Sequence, residues 1–218
     1  MTLDQHPLGL IAVLFALSLL PLIAMTTTSY LKISVVLILM RNALGVQQAP
    51  PTIALNAIAL AVTLFVMAPT LEACLDAARE PTSTTPASGS AQLARALSVV
   101  EPLRGFMLHN TRPEERERFL DLAHRNWPTS MRASANSQDW SILVPAFVVS
   151  ELQAAFEIGL LLFVPFIVID LLVSNVLLAM GMQMVPPMMV SLPLKLLLFV
   201  VADGWGRLLH ALALSYQG

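Results

Sequence analysis

Three stretches of this chain, residues 5–31, 42–71 and 171–194, contain no Asp, Glu, Lys or Arg. Each is longer than the roughly 18 apolar residues a helix needs to cross a bilayer, so each must be covered by lipid or by protein. Shorter charge-free runs occupy 140–150 and 158–169, and 17 charged residues crowd between Glu72 and Asp139, leaving nine for the rest of the chain. The pattern predicts an all-α protein with apolar helical regions at 1–71 and 140–218 around a polar helical insert at 72–139. Only 12% of the residues are charged, against about 25% in soluble domains. The natural settings are therefore a bilayer or an oligomer that buries most of its surface.

Prolines punctuate the apolar regions at 21, 50, 51, 69, 165, 186, 187 and 193, which predicts kinked or hairpinned helices rather than straight spans. Gly45-Val-Gln-Gln-Ala-Pro-Pro51 and Gly181-Met-Gln-Met-Val-Pro-Pro187 share Gly, Gln, Pro and Pro at equal offsets. Both read as hairpin turns in which Gly45 or Gly181 ends one helix and Pro50-Pro51 or Pro186-Pro187 opens the next. The N-terminus has no basic residue ahead of its apolar stretch, unlike a secretory signal, so the segment is expected to be retained as a helix.

Within the insert, the Pro-, Ser- and Thr-rich residues 80–90 predict a mobile loop. Helical signals follow over 92–107 and again at Thr111-Arg-Pro-Glu114, where Thr111 is expected to cap the helix with Glu114 reaching back. Glu114 with Arg118 and Asp121 with Arg125 stand at i,i+4 spacing on a solvated face, and Phe119, Leu122 and Trp127 supply the packed one.

The sequence gives little support to chemistry. No metal, nucleotide or nucleophile motif is present, and the histidines at 6, 109, 124 and 210 lack ligand spacing. No cofactor is expected. Cys74 is the lone cysteine, which fits a small packed hydrophobe. Two lysines and ten arginines against fourteen acids leave no basic patch for a nucleic-acid backbone. Asp170 and Asp203 invite comparison with intramembrane aspartyl proteases, but Asp203 lacks the preceding Gly-x-Gly of that signature.

Glu151 and Glu157 are six residues apart on one helix, about 120° around it, so they do not converge. Lys195 is the only cation between Arg132 and Arg207. A buried Glu151–Lys195 pair, within a subunit or between neighbours, is the natural way to neutralise both. Five of the eleven methionines fall at 180, 182, 184, 188 and 189. Core filling, a soft ring around a symmetric pore, and copper binding all remain open from these residues alone.

Seven motifs, in order, carry a resemblance: Thr28-Ser-Tyr-Leu-Lys-Ile, Leu39-Met-Arg-Asn-Ala-Leu-Gly-Val-Gln-Gln-Ala-Pro-Pro51, Phe65-Val-Met-Ala-Pro69, Val149-Ser-Glu-Leu-Gln-Ala-Ala-Phe-Glu-Ile-Gly159, Pro165-Phe-Ile-Val-Ile-Asp-Leu171, Met180-Gly-Met-Gln-Met-Val-Pro-Pro187 and Ser191-Leu-Pro-Leu-Lys-Leu-Leu-Leu-Phe-Val-Val-Ala-Asp-Gly-Trp205. They closely resemble the FliP/SctR family of type III secretion export-gate proteins, and the short chain is most similar to its injectisome branch. The insert carries none of this resemblance.

The resemblance implies a non-enzymatic homopentamer that joins SctS-like and SctT-like subunits in a helical, pseudo-hexameric assembly. SctU-like and SctV-like export components would adjoin it. The complex would form the portal by which unfolded secretion substrates leave the cytoplasm through the inner membrane, with its bulk on the periplasmic side. The family's methionine gasket maps onto Met182, Gln183 and Met184, where Gln183 departs from the all-methionine pattern. Its inter-subunit acid–lysine pair maps onto Glu151 and Lys195. The competing class is a small oligomeric helical transporter or channel, which calls for polar groups along a midplane path and a fuller inverted repeat.

Overall fold

Helix α2 (Tyr30–Leu44) is the centre of the molecule, and every other apolar element is arranged around it. The computed structural model describes residues 7–46, 49–79, 95 and 97–216. Helix α1 (Pro7–Thr27) precedes α2, and α3 (Thr52–Arg79) returns antiparallel to it. The insert supplies α4 (Glu101–Asn110), α5 (Pro113–Asn126) and the single turn α6 (Thr129–Arg132). The second apolar half contains α7 (Trp140–Ala179), α8 (Pro187–Val201) and α9 (Gly204–Leu214). No strand occurs among the described residues, as the all-α reading predicts.

The expected turns form where the glycines stand. Gly45 takes φ 78°, left-handed backbone that glycine adopts without steric cost, and its N–H donates to Asn42 O at 3.0 Å to close α2. Pro51 O then accepts from Ala54 N–H and Leu55 N–H, opening α3. Arg41 spans this turn, donating to Pro50 O at 3.4 Å and to Thr52 Oγ1 at 3.0 Å. The two glutamines of the first echo lie outside the described residues, as does the loop predicted at 80–90.

Helix α1 meets α2 at a bend of 70°. The hydroxyls of Thr26, Thr27 and Thr28 donate back to Leu22 O, Ile23 O and Ala24 O, the i−4 back-bonds that satisfy a Thr hydroxyl within its own helix and favour a bend there. A second corner, of 60°, joins α8 to α9. Here Asp203 takes the left-handed region (φ 51°), and the Phe199 ring lies against Gly204 where a Cβ would stand.

Several prolines lie inside helices rather than between them. Helix α7 runs unbroken for 40 residues, about 60 Å at 1.5 Å per residue, with Pro145 and Pro165 inside it. Pro21, Pro69 and Pro193 likewise sit inside helices. A proline removes one hydrogen bond, and the extensive packing of α7 on α2 helps the helix continue past it. The charge-free run 171–194, which composition nominates as a span, is instead the tip of the α7–α8 hairpin. Among the described residues, the helices long and apolar enough to cross a membrane are α3 and α7, or up to four spans if each bent pair counts as one.

The main core joins Ile33, Leu37 and Met40 of α2 to Leu55 of α3, Ala155 and Phe166 of α7, Phe199 of α8 and Leu212 of α9. Gly159 lets α7 approach α2, because an added Cβ would collide with the Leu39 side chain. A smaller core, Met107 with Leu143 and Phe147, seats the insert against α7.

The insert differs from its expected detail. Thr111 does not cap α5; its hydroxyl donates to Met107 O at 2.6 Å and closes α4, while Arg112 occupies the N-cap position. Arg118 pairs with Glu115 at 2.7 Å rather than with Glu114. The inward face of α5 follows Glu115, Phe119 and Ala123, which leaves Leu122 exposed. Leu122, about 20° around the helix from Glu115 on the side away from Ala123, stands at the edge of that face and stays open to solvent. The chain also runs on in α3 to Arg79, past the expected boundary at residue 71.

Candidate functional site

The methionine-rich tip is built by a glycine-closed turn. Gly181 takes φ 75°, its N–H donates to Leu178 O at 3.0 Å, and Met182 N–H donates to Leu177 O at 2.9 Å. These paired bonds are the Schellman arrangement, which satisfies the last carbonyls of α7 and turns the chain outward. Pro186 then enters α8, its carbonyl accepting from Met189 N–H at 3.1 Å, and Pro187 occupies the first helical position. Between these ends Met182, Gln183 and Met184 point away from the body: Met182 is 41% exposed and Met184 98%. Met180, Met188 and Met189 are exposed as well. Within one chain this cluster is therefore not core filling, and it offers neighbouring molecules a deformable apolar surface.

Of the four charged side chains buried among the described residues, Lys32 and Glu151 share one cluster, Lys195 lies in a second, and Glu115 belongs to the insert. Glu151 (2% exposed) lies in the first third of α7 and Lys32 (5% exposed) in the first turn of α2; Lys32 Nζ stands 3.3 Å from Glu151 Oε1. Tyr216 completes the group. Its hydroxyl donates to Glu151 Oε2, and Lys32 Nζ lies over its ring, 3.6 Å from the centroid. Burial, and then the adjacent Glu151 carboxylate, push the Tyr216 phenol well above its ordinary range, so it stays protonated and acts as donor. Both carboxylate oxygens are thus partnered, as a buried charge requires.

Lys195 belongs to the other cluster. Its Nζ donates to Asp170 Oδ2 at 2.6 Å and stands 3.4 Å from Ala43 O in the last turn of α2. The ion pair joins α8 to α7 below the methionine turn, and the ammonium faces the carbonyl end of α2, where a cation is favoured. Within one chain the expected Glu151–Lys195 pair therefore does not form: each residue is paired, but with a different partner. Asp170 is committed to this contact, while Asp203 sits at the start of α9.

Glu157 projects toward the insert, as its 120° offset from Glu151 requires. Arg112 grips it through two nitrogens, Nη1 to Oε1 at 3.0 Å and Nη2 to Oε2 at 2.6 Å. That hydrogen bonding raises the Arg112 guanidinium above its already high range. Gln153 Nε2 donates to Glu115 Oε1 at 3.1 Å, and Arg112 N–H donates to Ser150 Oγ at 3.0 Å. One polar stripe on α7 therefore fastens the insert.

Lys32 and Tyr216 are not among the residues the sequence singled out, because the expected partner of Glu151, Lys195, lies in the same half of the chain. A usable signal was present. Lys32 is one of only two lysines and begins where a charge-free run ends, so it needs a buried partner as much as Lys195 does.

Residues 13–212 match the FliP family. The chain is 51% identical over 213 residues to the harpin secretion protein HrcR of Erwinia amylovora, covering 96% of both chains. It is 46% identical to the virulence protein YscR of Salmonella typhimurium over the full length of each. It is 48% identical over 213 residues to the Yop proteins translocation protein R of Yersinia pestis, covering 97% of both. A match of nearly the whole chain, with identity near one half from end to end, shows that the chain belongs to the FliP family and is most like its injectisome branch.

Proposed function

We propose that the chain is a core structural subunit of a type III secretion export gate, forming the entrance portal for unfolded substrates at the bacterial inner membrane. Five copies join SctS-like and SctT-like subunits, with SctU-like and SctV-like components alongside, and the assembled complex lies largely on the periplasmic side. The chain performs no catalysis. Its contribution is a shaped apolar wall and a closable constriction.

The exposed turn at Met182, Gln183 and Met184 carries this reading. Thioethers on a rigid, glycine-closed hairpin tip meet their counterparts from neighbouring copies, close a pore without a fixed shape, and yield to chains of varied sequence. Five Gln183 amides add a polar layer able to hydrogen-bond around the ring. In the assembly Glu151 and Lys195 are proposed to pair between subunits. That pairing requires each to exchange the partner it holds within the chain.

The test is conductance of the purified complex in planar bilayers. Met182→Ala with Met184→Ala is expected to leave the complex intact by native mass spectrometry and to make the resting pore leak ions. An intact complex that stays tight with both methionines removed would overturn the gate.

A further inference from the structure

Tyr216 reaches four segments with one side chain. Its hydroxyl donates to Glu151 of α7 and lies 3.4 Å from Ser29 O, just ahead of α2. The face of its ring carries the Lys32 ammonium, 3.6 Å from the centroid. The same ring stacks on Phe106 of α4, with centroids 5.7 Å apart and planes at 22°. Phe106 in turn meets Phe147 of α7 edge-on at 6.0 Å. Tyr216 immediately follows the helix that completes the second apolar half, whereas Phe106 belongs to the polar insert. The side chain that links them also holds the buried Lys32–Glu151 ion pair.

We infer that Tyr216 is a coupling strap, which ties the docking of α9 to the docking of the insert so that neither loosens alone. If α9 lifts away, Glu151 Oε2 loses its donor, Lys32 loses the ring beneath it, and Phe106 loses one stacked face. The first two losses fall on charged groups buried in apolar surroundings, where an unpaired polar atom is most costly, and the third on the half-buried Phe106 ring. The reverse path uses the same contacts: an insert that undocks takes Phe106 from the Tyr216 ring and loosens the phenol that partners Glu151. The coupling belongs to the single chain and needs no partner subunit.

Amide hydrogen exchange on the full chain in detergent tests the strap, with residues 160–179, which carry none of these side chains, as internal reference. Tyr216→Phe keeps the ring and removes only the donor. Exchange is expected to quicken about fivefold or more in α9 and in α4 together, the size expected for one buried hydrogen bond left unmade. Faster exchange confined to α9, or no change in either helix, would overturn the inference. Phe106→Leu probes the other end and leaves the Tyr216 hydroxyl in place. Because coupling between two sites is reciprocal, it is expected to quicken exchange over residues 208–214 by a similar factor. An α9 that ignores Phe106→Leu would overturn the strap equally, and this variant decides the matter if Tyr216→Phe does not fold.

Discussion

Lys32 Nζ lies 3.3 Å from Glu151 Oε1, and the two residues come from opposite apolar halves of the chain. Their ion pair fastens α2 to α7 in the interior, while Lys195 is paired with Asp170 instead.

Removing one partner strands the other charge in the core, and breaking a buried pair costs about 3–5 kcal/mol. Lys32→Met and Glu151→Gln are each expected to lower stability by an amount in that range, measured by denaturant unfolding in detergent. The double variant should be less destabilised than the sum of the two, because no charge is then left alone. Strict additivity would mean that the pair is not coupled.

Charge reversal separates the two candidate partners of Glu151. In the single chain, Lys32→Glu with Glu151→Lys is expected to recover part of the stability lost in Glu151→Lys, and Lys195→Glu with Glu151→Lys is not. In the assembled complex, inter-subunit pairing makes the second combination recover complex yield by native mass spectrometry. If only the first combination recovers in both settings, Glu151 and Lys195 do not meet across subunits.

Gly181 has open space where a Cβ would stand, so Gly181→Ala tests backbone conformation alone. The left-handed region costs an L-residue about 1–2 kcal/mol, and the unfolding free energy should fall by that much. Ion leak through the bilayer-reconstituted complex should rise as the turn loosens. An unchanged unfolding midpoint would show that another geometry replaces this turn at no cost.

Gly159 is the opposite case, because a methyl group there strikes the Leu39 side chain. Gly159→Ala is expected to cost about 1–3 kcal/mol by overpacking the α2–α7 contact. Leu39→Ala should relieve most of that in the double variant, read by the same unfolding curves. If it restores nothing, the strain lies elsewhere.

Arg112 holds the insert through a half-exposed bidentate grip on Glu157. Arg112→Ala should speed limited proteolysis within α5, and the difference from the unmodified chain should narrow as salt is raised and the pair is screened. A salt-independent effect would point to the Arg112 stem rather than its charge.

Much of the fold is legible along the chain because helix ends are local events. Gly45 and Gly181 end helices by backbone freedom that no other residue type supplies so readily. Charge-free composition marks the helical regions, and Glu157 faces away from Glu151 by helical period alone. The prolines do not by themselves locate helix ends: α7 stays continuous across Pro165, because a single missing N–H removes one hydrogen bond of the many that hold a long helix. Thr111 misled because its hydroxyl has a carbonyl of α4 within reach and closes that helix rather than opening α5.

The residues alone determined the all-α class, the two glycine turns and the polar insert, and they placed soft methionines at one of those turns. They also required every buried charge to have a partner. Only the tertiary structure decided which partner: Lys32 and Tyr216 for Glu151, Asp170 for Lys195 and, at the surface, Arg112 for Glu157. The energy of an ion pair depends on separation in space and on exclusion of water, and neither quantity is encoded by position along the chain. Helical period settles which side of α7 a carboxylate occupies. The packing of α2, α9 and the insert settles what meets it there.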